Sequence, residues 1–267
     1  MKTEKTYHWD ASDYASHSKA QLGWAKELID KLQLAGNESV LDIGCGDGKV
    51  TAEISGYLKD GSVVGIDNSA KMLSLAKEKF PPGIYPNLSF LKEDTRSLPF
   101  IKDFDVVFSN AVLHWVLDHK PVLKGIHQSL KPGGRAIVQM GGKGNGERVA
   151  EVLNDVMKRN KWEMYFNNFV FPYGFYSPDE YEPWLKDAGF EIIALELKPK
   201  DMVHETPEEF KGWFRTTWLP YTQRIPSTLR SEFVDLVVDE YCETVCDRDG
   251  KLHTTMQRLE YIAVKMQ

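Results

Sequence analysis

The chain has 267 residues, of which 42% are hydrophobic, so it is long enough to bury a full core in one α/β domain. Its formal net charge of −6 gives no overall attraction for phosphates, which argues against a nucleic-acid partner. Three cysteines (Cys45, Cys242 and Cys246) are too few for a disulfide framework or a four-ligand zinc site, and no apolar run approaches the roughly 20 residues that span a bilayer. We therefore expect a cytoplasmic protein without a metal site or a membrane partner. Composition leaves the oligomeric state open.

Residues 37–138 alternate short apolar runs with helical patterns, which is typical of a parallel sheet covered on both faces. The predicted strands are 39–43, 62–66, 88–91, 104–109 and 135–139, followed later by 191–197 and 261–265. The predicted helices are 18–34, a segment from Gly48 towards Leu58, 69–80 with Ser69 as N-cap, and 120–130.

The chain shows no repeat and no low-complexity linker, so we expect a single domain over 1–267. Its core is predicted at about 37–140, completed by strands 191–197 and 261–265. The elaborations around this core are an N-terminal helical lid over 1–34, an aromatic-rich substrate region over 141–176 and a helical insertion over 205–247.

Three glycines, Gly44, Gly46 and Gly48, alternate directly after the first strand and before a helix. Glycine turns tightly and lets a ligand approach without a Cβ, although a plain strand-to-helix turn would use it equally. The spacing is D-x-G-x-G-x-G, whereas nicotinamide and flavin folds use G-x-G-x-x-G with a pyrophosphate at the helix N-terminus. Asp47 would face that N-terminus, and an acidic loop suits a ligand with a positive end, such as a sulfonium.

Acidic residues follow the next two strands. Asp67 ends the second strand, where a carboxylate can accept both hydroxyls of a ribose. Asp94, followed by Thr95, comes after the third strand and can accept from an adenine amino group. Either acid alone could instead cap a helix or lie in a solvated turn. Together with the glycine loop they favour a ligand that contains a nucleoside.

Four ordered segments, 40–48 (VLDIGCGDG), 65–67 (GID), 93–94 (ED) and 130–134 (LKPGG), resemble the motifs of class I S-adenosylmethionine-dependent methyltransferases. The resemblance covers about half the chain. It implies a doubly wound, Rossmann-like α/β sheet of seven strands, mostly parallel with an antiparallel last strand, plus helical lid elaborations. It also implies S-adenosylmethionine as cofactor and S-adenosylhomocysteine as product. The residues implied to bind the cofactor are Tyr14, Asp42, Gly44, Gly46, Asp67, Asn68, Asp94, Thr95, Asn110 and Trp115.

A narrower resemblance concerns the methyl acceptor. Residues 108–116 (FSNAVLHWV) are similar to the fourth-strand motif of trans-aconitate methyltransferases, and to the corresponding stretch of malonyl-carrier-protein and juvenile-hormone-acid methyltransferases. Residues 213–221 (WFRTTWLPY) resemble the substrate-side segment of the first group. Because these families methylate carboxylates, the resemblance implies O-methylation of a small acidic molecule.

Two residues are candidates for the catalytic side of such a site. Arg215 could bind a carboxylate through two parallel hydrogen bonds, shielded by its aromatic neighbours, or could be a surface arginine. His114 stands where related members often carry glutamine, and it is either a general base or a structural histidine.

Three other functions stay open on sequence alone. They are a nicotinamide-dependent oxidoreductase on a related fold, a non-catalytic cofactor-binding module and a nucleic-acid methyltransferase. The glycine spacing argues against the first, and the intact acids argue against the second. Enzymes that methylate bases commonly have an Asn/Asp-Pro-Pro-aromatic motif after the fourth strand, where this chain has residues 109–112 (SNAV).

Overall fold

The computed structural model describes residues 19–244 and 250–266, which fall into two compact units. The sheet unit contains residues 20–143, 173–198 and 257–266, and the helical unit contains residue 19 together with 144–172, 199–244 and 250–256. The strands are β1 Ser39–Ile43, β2 Ser62–Asp67, β3 Leu88–Lys92, β4 Phe104–Asn110, β5 Leu130–Gly141, β6 Phe190–His204 and β7 Leu252–Lys265. The helices are α1 Lys19–Asp30, α2 Lys49–Ser55, α3 Ala70–Lys79, α4 His119–Ser129, α5 Glu147–Met157, α6 Asn160–Glu163, α7 Pro178–Asp187, α8 Pro207–Thr217, α9 Leu219–Thr222 and α10 Ser227–Thr244.

The seven strands form one sheet in the order β3-β2-β1-β4-β5-β7-β6. Strands β1 to β5 pair in parallel, and β7 pairs antiparallel with β5. The predicted seven-stranded mixed sheet is therefore confirmed. Successive strands are added on one side of β1 up to β3 and on its other side from β4 onwards, so the strand order reverses between β1 and β4. Ligands of open α/β sheets bind outside the carboxyl ends of the strands at such a switch point.

The sheet separates two apolar layers because side chains alternate between its faces. Val40 of β1 packs with α1, α2 and α3, whereas its neighbour Leu41 packs with α4 and α7. Val106 and Val107 of β4 divide between the two layers in the same way. Burial on both faces explains why the central strands read as continuous apolar runs in the sequence.

The largest differences from the predicted boundaries lie at the later strands. β5 begins at Leu130 rather than at 135, β6 continues to His204, and β7 begins at Leu252 rather than at 261. In the first part of β7, Leu252, Thr254 and Met256 are buried, with more accessible residues between them. This stretch is rich in threonine, histidine and glutamine and contains no continuous apolar run. The prediction that Ser69 caps a helix is confirmed, since its hydroxyl accepts the N–H of Met72 at 3.4 Å.

The helical unit has an aromatic core. Phe210 of α8 stacks on Tyr241 of α10, with ring centroids 4.4 Å apart and planes 11° apart. Trp162 and Phe166 meet Phe233 edge-on and tilted, respectively. In residues 19–244 and 250–266, no helix combines the length and the apolar character needed to cross a membrane.

Candidate active site

The loop between β1 and α2 is attached to the end of β2 by backbone hydrogen bonds. The carbonyl oxygen of Ile66 accepts the N–H groups of Gly44 at 2.8 Å and Cys45 at 2.9 Å. Asp67 Oδ2 accepts the N–H of Gly46 at 3.1 Å, and its Oδ1 accepts the N–H of Ser69 at 2.8 Å. Asp67 therefore fixes the glycine loop on one side and the turn into α3 on the other.

The three glycines of this loop are required for different reasons. All three have positive φ, which favours glycine. A Cβ on Gly44 would lie 2.3 Å from a methyl group of Val112, and one on Gly48 would lie 2.7 Å from the ring of Phe90. A Cβ on Gly46 would have nothing within 4 Å. Gly44 and Gly48 thus serve packing within the protein, whereas Gly46 leaves open space beside the loop.

Asp42 lies buried beneath the loop, with 2% of its surface exposed. The hydroxyl of Thr51 donates to its Oδ2 at 2.7 Å. Burial raises the pKa of Asp42 to about 7, the hydrogen bond from Thr51 opposes the rise, and the negative charge of Asp67 adds to it. Burial also raises the pKa of Asp67, against the lowering effect of its backbone hydrogen bonds. The site therefore contains one buried and one partly buried carboxyl group, and the charge of Asp67 disfavours ionisation of Asp42.

Asp47 does not present a free negative charge to a ligand. Its Oδ2 lies 2.8 Å from Nζ of Lys79 and 3.2 Å from Nζ of Lys49. Two lysines thus balance the carboxylate that the sequence argument had assigned to an acidic loop. The other acidic residues beside this loop are Asp42 and Asp67.

The turn after β3 contains the residues predicted for the adenine end. Asp94 accepts the N–H of Arg96 at 2.9 Å and pairs with its guanidinium, with Nη2 to Oδ2 at 2.5 Å, and this bonding to Arg96 lowers the pKa of Asp94. The hydroxyl oxygen of Thr95 is buried and has no hydrogen-bond partner among the described residues. Asn68, which follows Asp67, is exposed.

A second group of side chains lies beyond the end of β4. The chain turns at Ala111, which has φ of 60°, and His114 and Trp115 follow in a 3₁₀ turn. The ring of His114 lies 5.7 Å from that of Trp115, 6.2 Å from Tyr173 and 5.8 Å from Phe175 between centroids. Tyr173 and Phe175 stack with centroids 5.1 Å apart and planes 5° apart. We call these four residues the aromatic wall.

Backbone groups hold His114 in place, and the positive charge of Arg258 acts on its ring. The N–H of Gly174 donates to the carbonyl oxygen of His114 at 2.9 Å, and the N–H of Gly141 donates to its Nδ1 at 3.2 Å. Gly141 pairs in register with Arg258 of β7, which is 3% exposed and lies 5.2 Å over the ring of Trp24. Burial lowers the pKa of His114 well below its ordinary value, and the positive charge of Arg258 lowers it further.

Two predicted site residues, Asn110 and Arg215, are not part of these groups of side chains, and a third, Tyr14, is not among the described residues. Asn110 is the last residue of β4 and pairs in register with Gln139 of β5. Tyr14 lies outside the described residues. Arg215 lies on α8 of the helical unit, where its side chain is exposed although Phe214 and Thr216 on either side are buried. The aromatic neighbours that were expected to shield Arg215 are thus part of the core of that unit.

Comparisons with known proteins identify the class of enzyme. Residues 41–138 match the methyltransferase domain family. A viral protein named as a methyltransferase, 235L of Invertebrate iridescent virus 6, is 29% identical over 87% of this chain and 85% of its own length. The trans-aconitate 2-methyltransferase of Methylobacterium nodulans is 27% identical over 85% of this chain and 86% of its own. The chain is an S-adenosylmethionine-dependent methyltransferase.

A solved structure supports the same fold. Phosphoethanolamine N-methyltransferase 2 of Haemonchus contortus, in complex with S-adenosylhomocysteine, aligns with a TM-score of 0.63 at 18% identity, over 96% of this chain and 57% of that one. The comparisons decide against the nicotinamide-dependent oxidoreductase and the non-catalytic module that the sequence left open.

The residues of the sheet unit fit the methyl donor of this methyltransferase. Gly46 leaves room for close approach, and the buried hydroxyl of Thr95 has bonding capacity to spare among the described residues. Each oxygen of Asp67 accepts one backbone N–H and can accept a further hydrogen bond. The site thus offers open space at Gly46, the hydroxyl of Thr95 and the carboxylate of Asp67. This combination suits a ligand that contains a ribose.

Sequence reasoning missed several residues of this methyltransferase site. Arg258 lies in the polar stretch 252–260, which gave no strand signal. The N–H of Gly141 is a backbone group that no residue pattern reveals. Tyr173 and Phe175 were seen only as part of an aromatic-rich region, although their alternate spacing places both rings on one side of an extended chain.

Proposed function

We propose that this methyltransferase O-methylates a carboxylate of a small acidic molecule. The observation that carries the proposal is the buried positive charge of Arg258, which acts on His114 of the aromatic wall. Burial disfavours a positive charge on the ring of His114, and the positive charge of Arg258 of β7 disfavours it further. A buried guanidinium at this end of the sheet attracts an anionic acceptor.

The chemistry of methyl transfer agrees with an anionic acceptor. Transfer from a sulfonium is an in-line displacement, so the protein needs mainly to hold a poorly solvated nucleophile at near-attack distance. An ionised carboxylate needs no general base. Trp115, Tyr173 and Phe175 supply apolar surface that excludes water from such a group. The name of the trans-aconitate 2-methyltransferase relative also specifies a carboxylate substrate.

Most of the proposed cofactor-binding residues lie at the carboxyl edge of the sheet. When bound, S-adenosylmethionine supplies an electrophilic methyl group. Gly44 and Gly46 would lie beside its amino-acid part, Asp67 would accept hydrogen bonds from the ribose, and Asp94 with Thr95 would lie at the adenine end. Asp42 supports the loop through Thr51. The remaining proposed contacts are Tyr14, Asn68, Asn110 and Trp115.

A screen of small acidic metabolites tests this function. Release of S-adenosylhomocysteine identifies the acceptor, and mild alkali distinguishes the product, because a methyl ester is cleaved to methanol whereas N-methyl groups and ethers are stable. The matched control is the primary amide of each acceptor that reacts, which keeps the shape but removes the charge. We expect an alkali-labile product and no turnover of the amide. A stable product, or equal turnover of the amide, would overturn the proposal.

A further inference from the structure

We infer that His114 acts on the acceptor as a fixed, neutral hydrogen-bond donor through Nε2–H, and that it is not a general base. The inference rests on the proposed function, because it names a group that orients an ionised carboxylate. It concerns a role that the sequence left undecided between base and structural residue.

The first step is the tautomer of the ring. A backbone N–H can only donate, so the hydrogen bond from Gly141 to Nδ1 of His114, at 3.2 Å, occupies the lone pair of Nδ1. A neutral imidazole carries one proton, which must then sit on Nε2. A protonated Nε2 has no lone pair, so it can donate a hydrogen bond to an acceptor but cannot remove a proton from one.

The second step is the rigidity of this arrangement. Gly141 is the last residue of β5 and is paired with β7 through Arg258, so its N–H has a fixed direction. The carbonyl oxygen of His114 is held by the N–H of Gly174. The ring itself lies among Trp115, Tyr173 and Phe175. Both the backbone and the ring of His114 are therefore held, which fixes the direction of Nε2–H.

The third step is the charge of the ring. A second proton on His114 would lie on Nδ1, where it would face the N–H of Gly141. It would also place a positive charge near Arg258 of β7 and compete with the titratable ring of His119 from α4. Burial and both neighbours lower the pKa of His114 well below its ordinary value, so the ring is neutral at neutral pH. The donor is thus present over the working range without any proton transfer.

The consequence for the acceptor is orientation. A carboxylate has two oxygens, and Nε2–H can hold one of them while the other is free to be methylated. Because esterification of an ionised carboxylate removes no proton, a donor without basicity is sufficient. We therefore assign His114 as a positioning residue for the non-reacting oxygen.

Two substitutions separate a donor from a base. His114→Gln keeps an N–H near the position of Nε2 but cannot act as a base, and His114→Leu removes the donor. We expect kcat/KM of the Gln variant to stay within about fivefold of the parent, and that of the Leu variant to fall on the order of 30-fold, as for loss of a hydrogen bond to a charged group. A general base would make both variants fall together, by on the order of 10²-fold or more. That outcome would overturn the inference.

A spectroscopic measurement tests the tautomer without turnover. The ¹⁵N shifts of the imidazole nitrogens report which one is protonated, and His114→Gln identifies the signals of His114 among the seven histidines. We expect a neutral Nε2–H form from about pH 6 to 8, where an unperturbed histidine titrates. His119 is an internal reference, because its Nε2 faces the carbonyl oxygen of Val116 at 2.8 Å and must be protonated. A proton on Nδ1 of His114, or a cationic ring at pH 6, would overturn the inference even if both variants fold poorly.

The two proposals fail separately. If the product is an alkali-labile ester but the Gln variant is as inactive as the Leu variant, only the role of His114 is wrong. If the product is stable to alkali, the carboxylate function is wrong, whatever the tautomer of His114.

Discussion

The glycine loop and the aromatic wall lie in the same sheet unit but are assembled differently. The contacts of the loop join residues close in sequence: Thr51 is nine positions from Asp42, and Gly46 is 21 from Asp67. The wall draws on the turn after β4, the end of β5, residues 173–175 and β7. The two regions meet where Val112, two residues before His114, packs against Gly44. A local motif forms the first region, whereas the second exists only once the sheet has formed.

The substitution with the largest expected effect on stability disrupts the contact between the two regions. Gly44→Ala places a Cβ 2.3 Å from Val112 at a φ of 75°, so overpacking and backbone strain together should lower the free energy of unfolding by about 4 kcal/mol. The matched control is Gly46→Ala, which meets no atom within 4 Å and should cost about 1 kcal/mol of stability. Filling the open space at Gly46 should instead weaken S-adenosylhomocysteine binding by about tenfold or more.

Denaturant unfolding and calorimetric titration of the two glycine variants check this comparison. Equal stability losses at Gly44 and Gly46 would mean that Val112 moves aside and that the two regions are not tightly packed. Unchanged ligand affinity in Gly46→Ala would remove this glycine from the cofactor site.

The next effect is a pH dependence of stability from Asp42. Its pKa is about 7 in the folded protein against about 3.9 when unfolded, so the folded state holds the extra proton between these values. Stability contributed by this group is complete below about pH 4 and is lost as pH rises through 7, by about 1 kcal/mol per pH unit. Asp42→Asn can still accept from Thr51 and should remove this slope. Thermal unfolding from about pH 5 to 8 measures it. Equal slopes in parent and variant would show that Asp42 is ionised throughout.

A smaller effect, on ligand affinity, concerns Asp67. Asp67→Ala removes a ribose contact and also leaves the N–H groups of Gly46 and Ser69 without their acceptor, so both cofactor affinity and stability should fall, each by about 2 kcal/mol. Asp67→Asn keeps one acceptor oxygen and should lose less stability while still binding S-adenosylhomocysteine about tenfold more weakly. Calorimetry on both variants separates the roles. Full affinity in a folded Asn variant would leave Asp67 as a purely structural acid.

The contrast between the two regions also explains what the sequence could predict. Strand β1 was predicted at its observed limits and β2 to β4 within one residue, because their buried faces give continuous apolar runs. The proximity of Gly46 and Asp67 follows from strand ends meeting at one edge. Arg258 could not be found, since its pairing with Gly141 depends on the register of β7 against β5 and not on any local pattern. The charge of Asp47 was misjudged for the same reason, because Lys79 reaches it from α3.

The smallest expected effect concerns Arg215, the residue that sequence reasoning assigned to the acceptor. Its side chain is exposed, and the aromatic residues around it in the sequence face the core of the helical unit. An exposed guanidinium contributes little to binding, about 1 kcal/mol at most, because water and salt screen its charge. We therefore expect Arg215→Ala to raise the Michaelis constant for the acidic acceptor by about threefold or less, and to leave S-adenosylhomocysteine affinity unchanged. Steady-state kinetics at low and high salt measure this, with Arg215→Lys as the charge-preserving control. A tenfold or larger rise in Arg215→Ala that lysine only partly restores would instead mean that acceptor binding requires the planar guanidinium fork of Arg215.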